Sequence, residues 1–428
     1  MMEKAKTSHP LDGRRLIIPR MSTIGASAMA AAFQSIGVYA EVAPESDELT
    51  LTRSARFTTG EECLPQRVTL GNFLKVMEEP GFDPAKTAFL MPTSSGPCRF
   101  GQYAPLTKKI LRELHFEEAL VFSPTSSNGY AGVAENVNRF KRWSWHAVIA
   151  SDALRKMLYM FRPYEKKSGA ADAIADRGLE HLCEILRNGS LSMSVHLSQL
   201  VGALEQIRDE FLAMELSSPL RSKPLIGLVG EIYVRLNSFS NQQLIRKVEA
   251  LGGEIWIADV GEWVWYTNSE MRRKLREKGK KLSVSMMKAY LAEAIQHKDE
   301  QALLKPLRQL FKGREESPID QIMKYSYPYL PQKKALGEMA VNAGKSIAFY
   351  KAGADGVIDI APFTCMNGIV SETVYPVISR DHDQIPIRVL YVDGVPTDLE
   401  NHLQIFMELA KSYQKQRIQK NPFVKSVN

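Results

Sequence analysis

Short apolar runs alternate with helical patterns in the first third of the chain. Four of these runs are typical of buried strands: 15–19, 38–42, 87–91 and 119–122. A turn and an Ala-rich helical stretch that ends at Gly37 separate the first two runs, which predicts a strand–helix–strand unit. Residues 106–114 form an amphipathic pattern with a basic face. We therefore expect an α/β domain at residues 13–145.

Residues 146–221 lack strand signals. Apolar positions recur there at helical spacing through three stretches: 147–161, 170–186 and 194–212. This pattern predicts a helical connector.

The strand pattern returns in the second half, at 224–229, 254–257, 356–360 and 387–392. A helix at 241–251 joins the first two of these runs, which repeats the strand–helix–strand pattern at the start of the chain. Residues 267–333 are helical, basic and Met-rich and predict an insertion, and a last helix covers 398–413. The sequence thus predicts an α/β fold of two doubly wound, flavodoxin-like or Rossmann-like domains, the second at 222–414 and followed by a basic tail at 415–428.

The 428-residue chain carries a formal charge of +7, and its basic residues concentrate in two runs, 271–281 and 411–428. Acidic residues outnumber basic ones elsewhere, and no zinc-finger spacing or RNP-like aromatic motif is present, so we expect no nucleic-acid partner. We interpret the runs as solvated helix faces and a frayed tail. The alternative is a dock for an acidic partner or for the phosphates of a ligand such as coenzyme A.

The chain has no apolar run of bilayer length, and its first residues form no apolar signal segment. We therefore expect a cytoplasmic protein without a membrane partner. Thiols stay reduced in the cytoplasm, so a disulfide framework is not expected for the four cysteines.

Three of the four cysteines lie in turns that contain glycine or proline. Cys63 lies in TTGEECLP, Cys98 in SSGPCRFG, and Cys365 in APFTCMNG, directly after a predicted strand. Ligands bind at the carboxyl ends of strands in α/β sheets, and glycines let backbone N–H groups approach a sulfur. Cys183 lies among apolar residues in a helical pattern, and we interpret it as core packing.

Spacing alone does not decide whether these three thiols are unrelated or share a site. The absence of a Cys-x₂-Cys pair argues against an ordinary structural zinc site.

The sequence around each of the three cysteines resembles a motif of the 2-hydroxyacyl-CoA dehydratase component superfamily. The three segments are TTGEECLPQRVTLGNFL, MPTSSGPCRFGQY and GVIDIAPFTCMNGIVSE. Residues 230–255 resemble that family's entry into its second α/β domain, and 386–410 resemble its closing strand and helix. The 2-hydroxyglutaryl-CoA dehydratase D-component belongs to this superfamily. Within it, the chain is most similar to the C-terminal part of CoA-substrate-specific enzyme activase-related proteins.

This resemblance implies a 4Fe–4S cluster held by Cys63, Cys98 and Cys365, with one iron left for water or a substrate oxygen. It also implies low-potential one-electron radical chemistry of anaerobic metabolism on a 2-hydroxyacyl-CoA or a related small molecule. The implied partners are an ATP-dependent activase with its own cluster and either a second dehydratase-like subunit or a second copy of this chain.

The chain departs from the family in its third motif, which reads CMNG where CMPG is expected; this alters the loop but not the ligand. Glu61, Glu62 and Arg99 adjoin the thiols. Either they form a local ion pair, or they deliver protons and hydrogen bonds near the cluster, with Glu62 and Arg99 as the catalytic candidates.

Gly344-Lys345-Ser346 resembles the end of a P-loop, but the full motif requires glycine where the chain has Met339. We interpret the triplet as chance and expect ATP to be hydrolysed by a partner.

Three functional hypotheses remain open from the sequence. The first is a dehydratase-like lyase or ATP-dependent reductase component, and the second is a non-catalytic electron-transfer module between an activase and another enzyme. The third, a scaffold that only retains the fold, is opposed by the intact set of three thiols.

Overall fold

The computed structural model describes residues 9–93, 98–124, 137–280, 282–331, 337–395 and 398–420. The chain divides into two compact units. The first comprises Met1–Ala147 and His181–His196, and the second comprises Val148–Glu180 and Leu197–Asn428.

The first unit is built on a four-stranded parallel sheet in the order β2-β1-β3-β4. Its strands are β1 (Arg15–Ile18), β2 (Tyr39–Val42), β3 (Thr87–Leu90) and β4 (Leu120–Phe122). Its helices include α1 (Thr23–Gln34), α2 (Glu48–Ala55), α3 (Leu64–Met77) and α4 (Tyr103–Glu113).

Helices cover both faces of this sheet. Neighbouring residues of a strand point to opposite sides, so each strand packs against helices on both faces. Ile17 and Phe89 pack into one buried cluster with Phe73 of α3. Leu16 packs into a second cluster with Phe33 of α1. The sheet is therefore buried on both faces, which explains why its strands read as continuous apolar runs.

Three helices occupy the stretch for which the sequence predicts a connector. They are α5 (Val137–Phe161), α6 (Ala170–Arg187) and α7 (Met193–Leu212). Both units draw residues from this stretch.

The second unit repeats the same sheet topology, with the order β6-β5-β7-β8 and all pairs parallel. Its strands are β5 (Leu225–Gly230), β6 (Glu254–Ile257), β7 (Gly356–Pro362) and β8 (Ile387–Val392). All eight strands coincide with the apolar runs of the sequence. The prediction of an α/β fold with two parallel sheets is confirmed.

The helices of the second unit follow in chain order. They are α8 (Ile232–Leu236), α9 (Leu244–Ala250), α10 (Val260–Glu277), α11 (Val284–Leu304), α12 (Ile319–Ser326), α13 (Glu338–Lys351), α14 (Met366–Asp381) and α15 (Leu399–Lys420). The predicted insertion therefore contains most of α10 together with α11 and α12. Among the described helices, none is long and apolar enough to cross a membrane.

A buried ion network lies inside the second unit. The Glu316 carboxylate accepts hydrogen bonds from Lys345, from Lys156 at 2.8 Å and from Trp256 Nε1 at 3.1 Å. Lys345 also lies 2.8 Å from the Glu262 carboxylate. Burial works to raise the pKa of Glu316, but the two lysine ammonium groups outweigh burial and lower it. Glu316 therefore stays ionised at neutral pH.

This network accounts for the P-loop-like triplet. Lys345 is 2% exposed and its charge is taken up by carboxylates of its own unit. Gly344 lies so close to the Ile322 backbone of α12 that a Cβ atom would not fit, and Ser346 Oγ donates to the Asn342 carbonyl at 2.8 Å. Each member of the triplet thus has a packing role within α13.

Candidate functional site

Each of the three motif cysteines is the residue directly before a helix. Cys63 precedes α3, Cys365 precedes α14, and Cys98 precedes a short 3₁₀ helix at Arg99–Gln102 that leads into α4. Their backbones are alike and extended, with φ of −66°, −69° and −68° respectively. Backbone N–H groups at the start of a helix lack intrahelical acceptors and carry partial positive charge, which stabilises a thiolate and opposes the effect of burial.

Two of the thiols hold equivalent places in the two sheets. Cys98 follows β3 and Cys365 follows β7, and each of these strands is the third of its sheet in chain order. In parallel sheets of this order, the crevice beyond the carboxyl ends of the first and third strands is the usual ligand site.

Cys63 is held by a tyrosine hydroxyl. Its sulfur is 2.6 Å from Tyr103 Oη, and the thiol packs against the buried core that contains Tyr103. The Phe100 ring meets Tyr103 edge-on, with 5.1 Å between the ring centroids. Tyr103 is 6% exposed, so its hydroxyl is fixed in place beside the sulfur.

The loops of Cys63 and Cys98 are joined within the first unit. Arg99 donates a hydrogen bond of 2.6 Å to the Glu61 carbonyl, and the Cys98 sulfur accepts from Phe100 N at 3.5 Å. Cys98 itself is exposed. Residues 94–97 of the second motif lie outside the described residues.

Glu62 and Arg99, the catalytic candidates from the sequence, both contact backbone groups of these loops. The Glu62 carboxylate accepts from Thr59 N at 3.0 Å and from Gly60 N at 3.1 Å, and so closes its own turn. Arg99 binds the Glu61 carbonyl. A catalytic role for either residue remains a prediction.

Cys365 lies in a partly buried, acidic environment. Burial raises the pKa of its thiol to about 12, and the carboxylates of Glu231 and Glu338 add to this rise. The nearby backbone N–H groups of Gly368 and Asn367 lower the pKa in part. A bound metal cation would reverse this preference for the protonated form, because it stabilises a thiolate directly.

Asn367, which stands where proline is expected in the CMNG motif, affects the Cys365 thiol. Proline has no backbone N–H, whereas the Asn367 N–H lowers the pKa of the Cys365 thiol. Thr364, just before the thiol, has φ of +64°, a left-handed conformation that is costly for a β-branched residue.

Carboxyl groups gather at the same edge of the second sheet. Glu231 directly follows β5 and accepts from the backbone N–H groups that open α8. The Glu338 carboxylate accepts from Ile232 N at 3.0 Å, and burial together with Glu231 raises its pKa to about 8. Gly230, with φ of +120°, packs against the Ile360 backbone and brings these strands together.

A small pocket opens beside these carboxyl groups. Its described lining includes Arg235, Asp259, Glu262, Glu338 and Asn342. Arg235 is 5% exposed and offsets part of the rise that burial gives to the pKa values of Glu231, Glu338 and Asp359. The pocket thus combines one buried guanidinium with carboxyl groups that differ in their tendency to ionise.

Cys183 is set apart from the motif cysteines. It is 6% exposed in the middle of α6, and burial raises the pKa of its thiol to about 11. A neutral buried thiol of this kind acts as a small apolar side chain.

The donor chemistry of the three thiols fits an iron–sulfur cluster, which is bound by thiolates and tuned by hydrogen bonds to sulfur. Cys63 and Cys98 belong to the first unit and Cys365 to the second. In the part of the chain that the structure describes, no three His, Cys, Asp or Glu side chains converge on a preformed metal site.

Sequence reasoning missed Tyr103, Glu231 and Glu338. Glu231 had a usable signal, because it directly follows a buried strand. Tyr103 is the last residue of the second motif, MPTSSGPCRFGQY, but the motif does not show that its hydroxyl reaches Cys63, 40 residues away. Glu338 had no such signal, because its partner Ile232 lies 106 residues away along the chain.

The features that bear on function are the three thiols and the groups that lie beside them. No protein-family model matches the chain, and no curated protein is significantly similar to it.

Proposed function

We propose that this chain is the cluster-carrying component of an ATP-activase-dependent dehydratase or reductase system that acts on a 2-hydroxyacyl-CoA or a related small molecule. Cys63, Cys98 and Cys365 bind a 4Fe–4S cluster, and each half of the chain is a doubly wound, flavodoxin-like domain. One observation carries the proposal: each of the three motif thiols directly precedes a helix, with a similar extended backbone.

The thiol environments support a cluster over three structural cysteines. Tyr103 reaches the Cys63 sulfur, Phe100 N reaches Cys98, and two backbone N–H groups reach Cys365. When bound, the cluster supplies low-potential one-electron transfer. The protein's part is to hold the thiolates and to set the charge around them.

Exposed apolar side chains flank Cys365 and form an apolar rim. Such a rim favours contact with a bound molecule over contact with water. Phe363, Met366 and Ile369 are 61%, 41% and 49% exposed, on either side of the thiol. Large exposed apolar side chains that cluster at a strand end mark binding sites. Together with the neighbouring pocket, the rim favours a substrate-handling component over a module that only passes electrons.

The first test is anaerobic purification followed by iron and sulfide analysis and electron paramagnetic resonance of the reduced protein. We expect about four irons and about four sulfides per chain, with a signal typical of a reduced 4Fe–4S cluster. Zinc in place of iron, or no metal after reconstitution with iron and sulfide, would contradict the proposal.

The Tyr103 hydroxyl is expected to tune the cluster. A hydrogen bond to a ligand sulfur stabilises the more negative, reduced state. Tyr103→Phe removes the hydroxyl 2.6 Å from Cys63 while keeping the buried ring. We expect this variant to keep its iron and to show a more negative reduction potential in a spectroelectrochemical titration.

Tyr350→Phe is the matched control for this titration. Tyr350 lies near the end of α13, before β7 begins, and its hydroxyl donates to Asp383 at 2.6 Å. This control should leave the potential unchanged. Equal potentials in wild type and Tyr103→Phe would rule out the tuning role of Tyr103 without affecting the assignment of the ligands.

A further inference from the structure

Helix α11 is exposed around most of its circumference. Its buried positions form one narrow stripe that packs on the rest of the second unit: Met286, Ala289, Glu293, Asp299 and Leu303. Arg272 of α10 pairs with Glu293 beneath the helix, and Asn268 donates to Gln296 at 2.9 Å. The two helices thus form a hairpin whose outer side is α11.

The outer face of α11 is apolar to a degree that is unusual for a solvated helix. Val284, Met287, Leu291 and Ile295 recur at helical spacing over about 17 Å and are 63%, 70%, 65% and 39% exposed. Tyr290 and the preceding Leu282 extend this row. Solvated helix faces seldom carry so continuous an apolar row.

The charges of this face are all positive. Between Val284 and Lys298, a span that the structure describes throughout, the single acid is Glu293, and it faces inward because it is 6% exposed. Lys288 and Lys298 are exposed on the outer side. The helix therefore offers apolar side chains framed by ammonium groups.

The end of α10 adds more positive charge beside this face. Its exposed bases are Lys274, Arg276, Lys278 and Lys280. The nearby Glu277 carboxylate is already paired with Arg273 at 2.5 Å. Arg276 reaches the Tyr290 hydroxyl at 3.5 Å, which places the basic run against the apolar row.

We infer that this face of α10 and α11, the α11 surface, binds the headgroup layer of an anionic lipid bilayer. The chemistry is that of an interfacial helix: apolar side chains enter the boundary of the acyl chains while lysine and arginine bind acidic headgroups. A second copy of the chain fits less well, because it would bring the same positive charges together.

An acidic protein is the other kind of partner that could bind the α11 surface. A protein partner needs a complementary groove or a flat matching patch, whereas a protruding helix enters a fluid headgroup layer without one. The broad exposure of α11 therefore favours the bilayer. Sequence composition does not lead to this inference, because it does not reveal which side of α11 is buried.

The test is cosedimentation of the full chain with vesicles of phosphatidylcholine, with and without about one third phosphatidylserine. We expect binding to the anionic vesicles that weakens strongly when salt rises from about 0.1 M to about 0.5 M. Lys278→Glu combined with Lys280→Glu should weaken binding at least about tenfold. Met287→Ser combined with Leu291→Ser should abolish the residual binding at high salt.

Ile405→Ser combined with Leu409→Ser is the matched control, since both side chains are exposed on α15 and lie four residues apart. This control should bind vesicles like the wild type. Absence of binding to anionic vesicles would overturn the inference, as would equal binding by the α11 variants. Self-association that Met287→Ser and Leu291→Ser abolish, without vesicle binding, would instead assign the surface to a contact between copies.

Discussion

Replacing Cys365 with alanine is expected to leave the chain almost without iron after anaerobic reconstitution. A cluster with three protein ligands that loses one of them has too few thiolates to stay bound. The same loss is expected for Cys63→Ala and Cys98→Ala, measured as iron and sulfide per chain and as loss of the charge-transfer absorbance of the cluster.

Cys183→Ala serves as the control, because it removes a thiol of the same chain that is buried within α6. It should retain about four irons. If all four alanine variants retain iron, the motif cysteines are not the ligands. If only one motif variant retains iron, the ligand set differs from the one proposed. Far-ultraviolet circular dichroism separates either result from unfolding.

Replacing Lys345 with methionine is expected to destabilise the second unit by about 3–5 kcal/mol, the usual cost of leaving a buried charge unpaired. The change removes the ammonium group that lies between the Glu262 and Glu316 carboxylates, and Lys345 is 2% exposed. Methionine preserves the unbranched stem, so lost packing contributes little. The midpoint of urea-induced unfolding, followed by tryptophan fluorescence, measures the loss.

Lys411→Met on α15 is the matched control, because Lys411 pairs with Glu408 at 2.7 Å on an exposed surface. Exposed pairs of this kind contribute about 0–1 kcal/mol, so the unfolding midpoint should hardly move. Adding Glu262→Gln to Lys345→Met should recover part of the stability, since it neutralises the carboxylate that loses its lysine partner, whereas Glu316 keeps Lys156. An unfolding midpoint for Lys345→Met that matches the wild type would contradict the role given to this network.

The strands were predictable from sequence for a simple physical reason. Strands of a parallel sheet covered on both sides are buried along their whole length, so they appear as continuous apolar runs. Helix α3 was not predicted, because twelve of its fourteen residues are buried and its apolar positions show no helical period. Helix α14 was obscured by Pro376 inside it.

The candidate site was predictable only where its chemistry lies close together in the sequence. Each thiol lies in a short motif of neighbouring residues, which can be recognised directly in the sequence. The contacts of the thiols are remote in sequence: Tyr103 belongs to the second motif but contacts Cys63, 40 residues earlier, and Glu338 shares its environment with Glu231 from a different element. Only packing brings these groups together, so no local pattern shows which thiol each group contacts.

The division of the chain has a consequence for how the protein is made. The first unit includes His181–His196, which follows thirty-three residues of the second unit, Val148–Glu180. Arg139 donates to the Leu191 carbonyl at 2.9 Å, and Trp143 donates to the Leu186 carbonyl at 2.8 Å, so this returning segment completes the packing around α5. During synthesis on the ribosome, the first unit therefore cannot finish folding until residue 196 has left the exit tunnel, and a fragment that ends at Ala147 lacks part of its own fold.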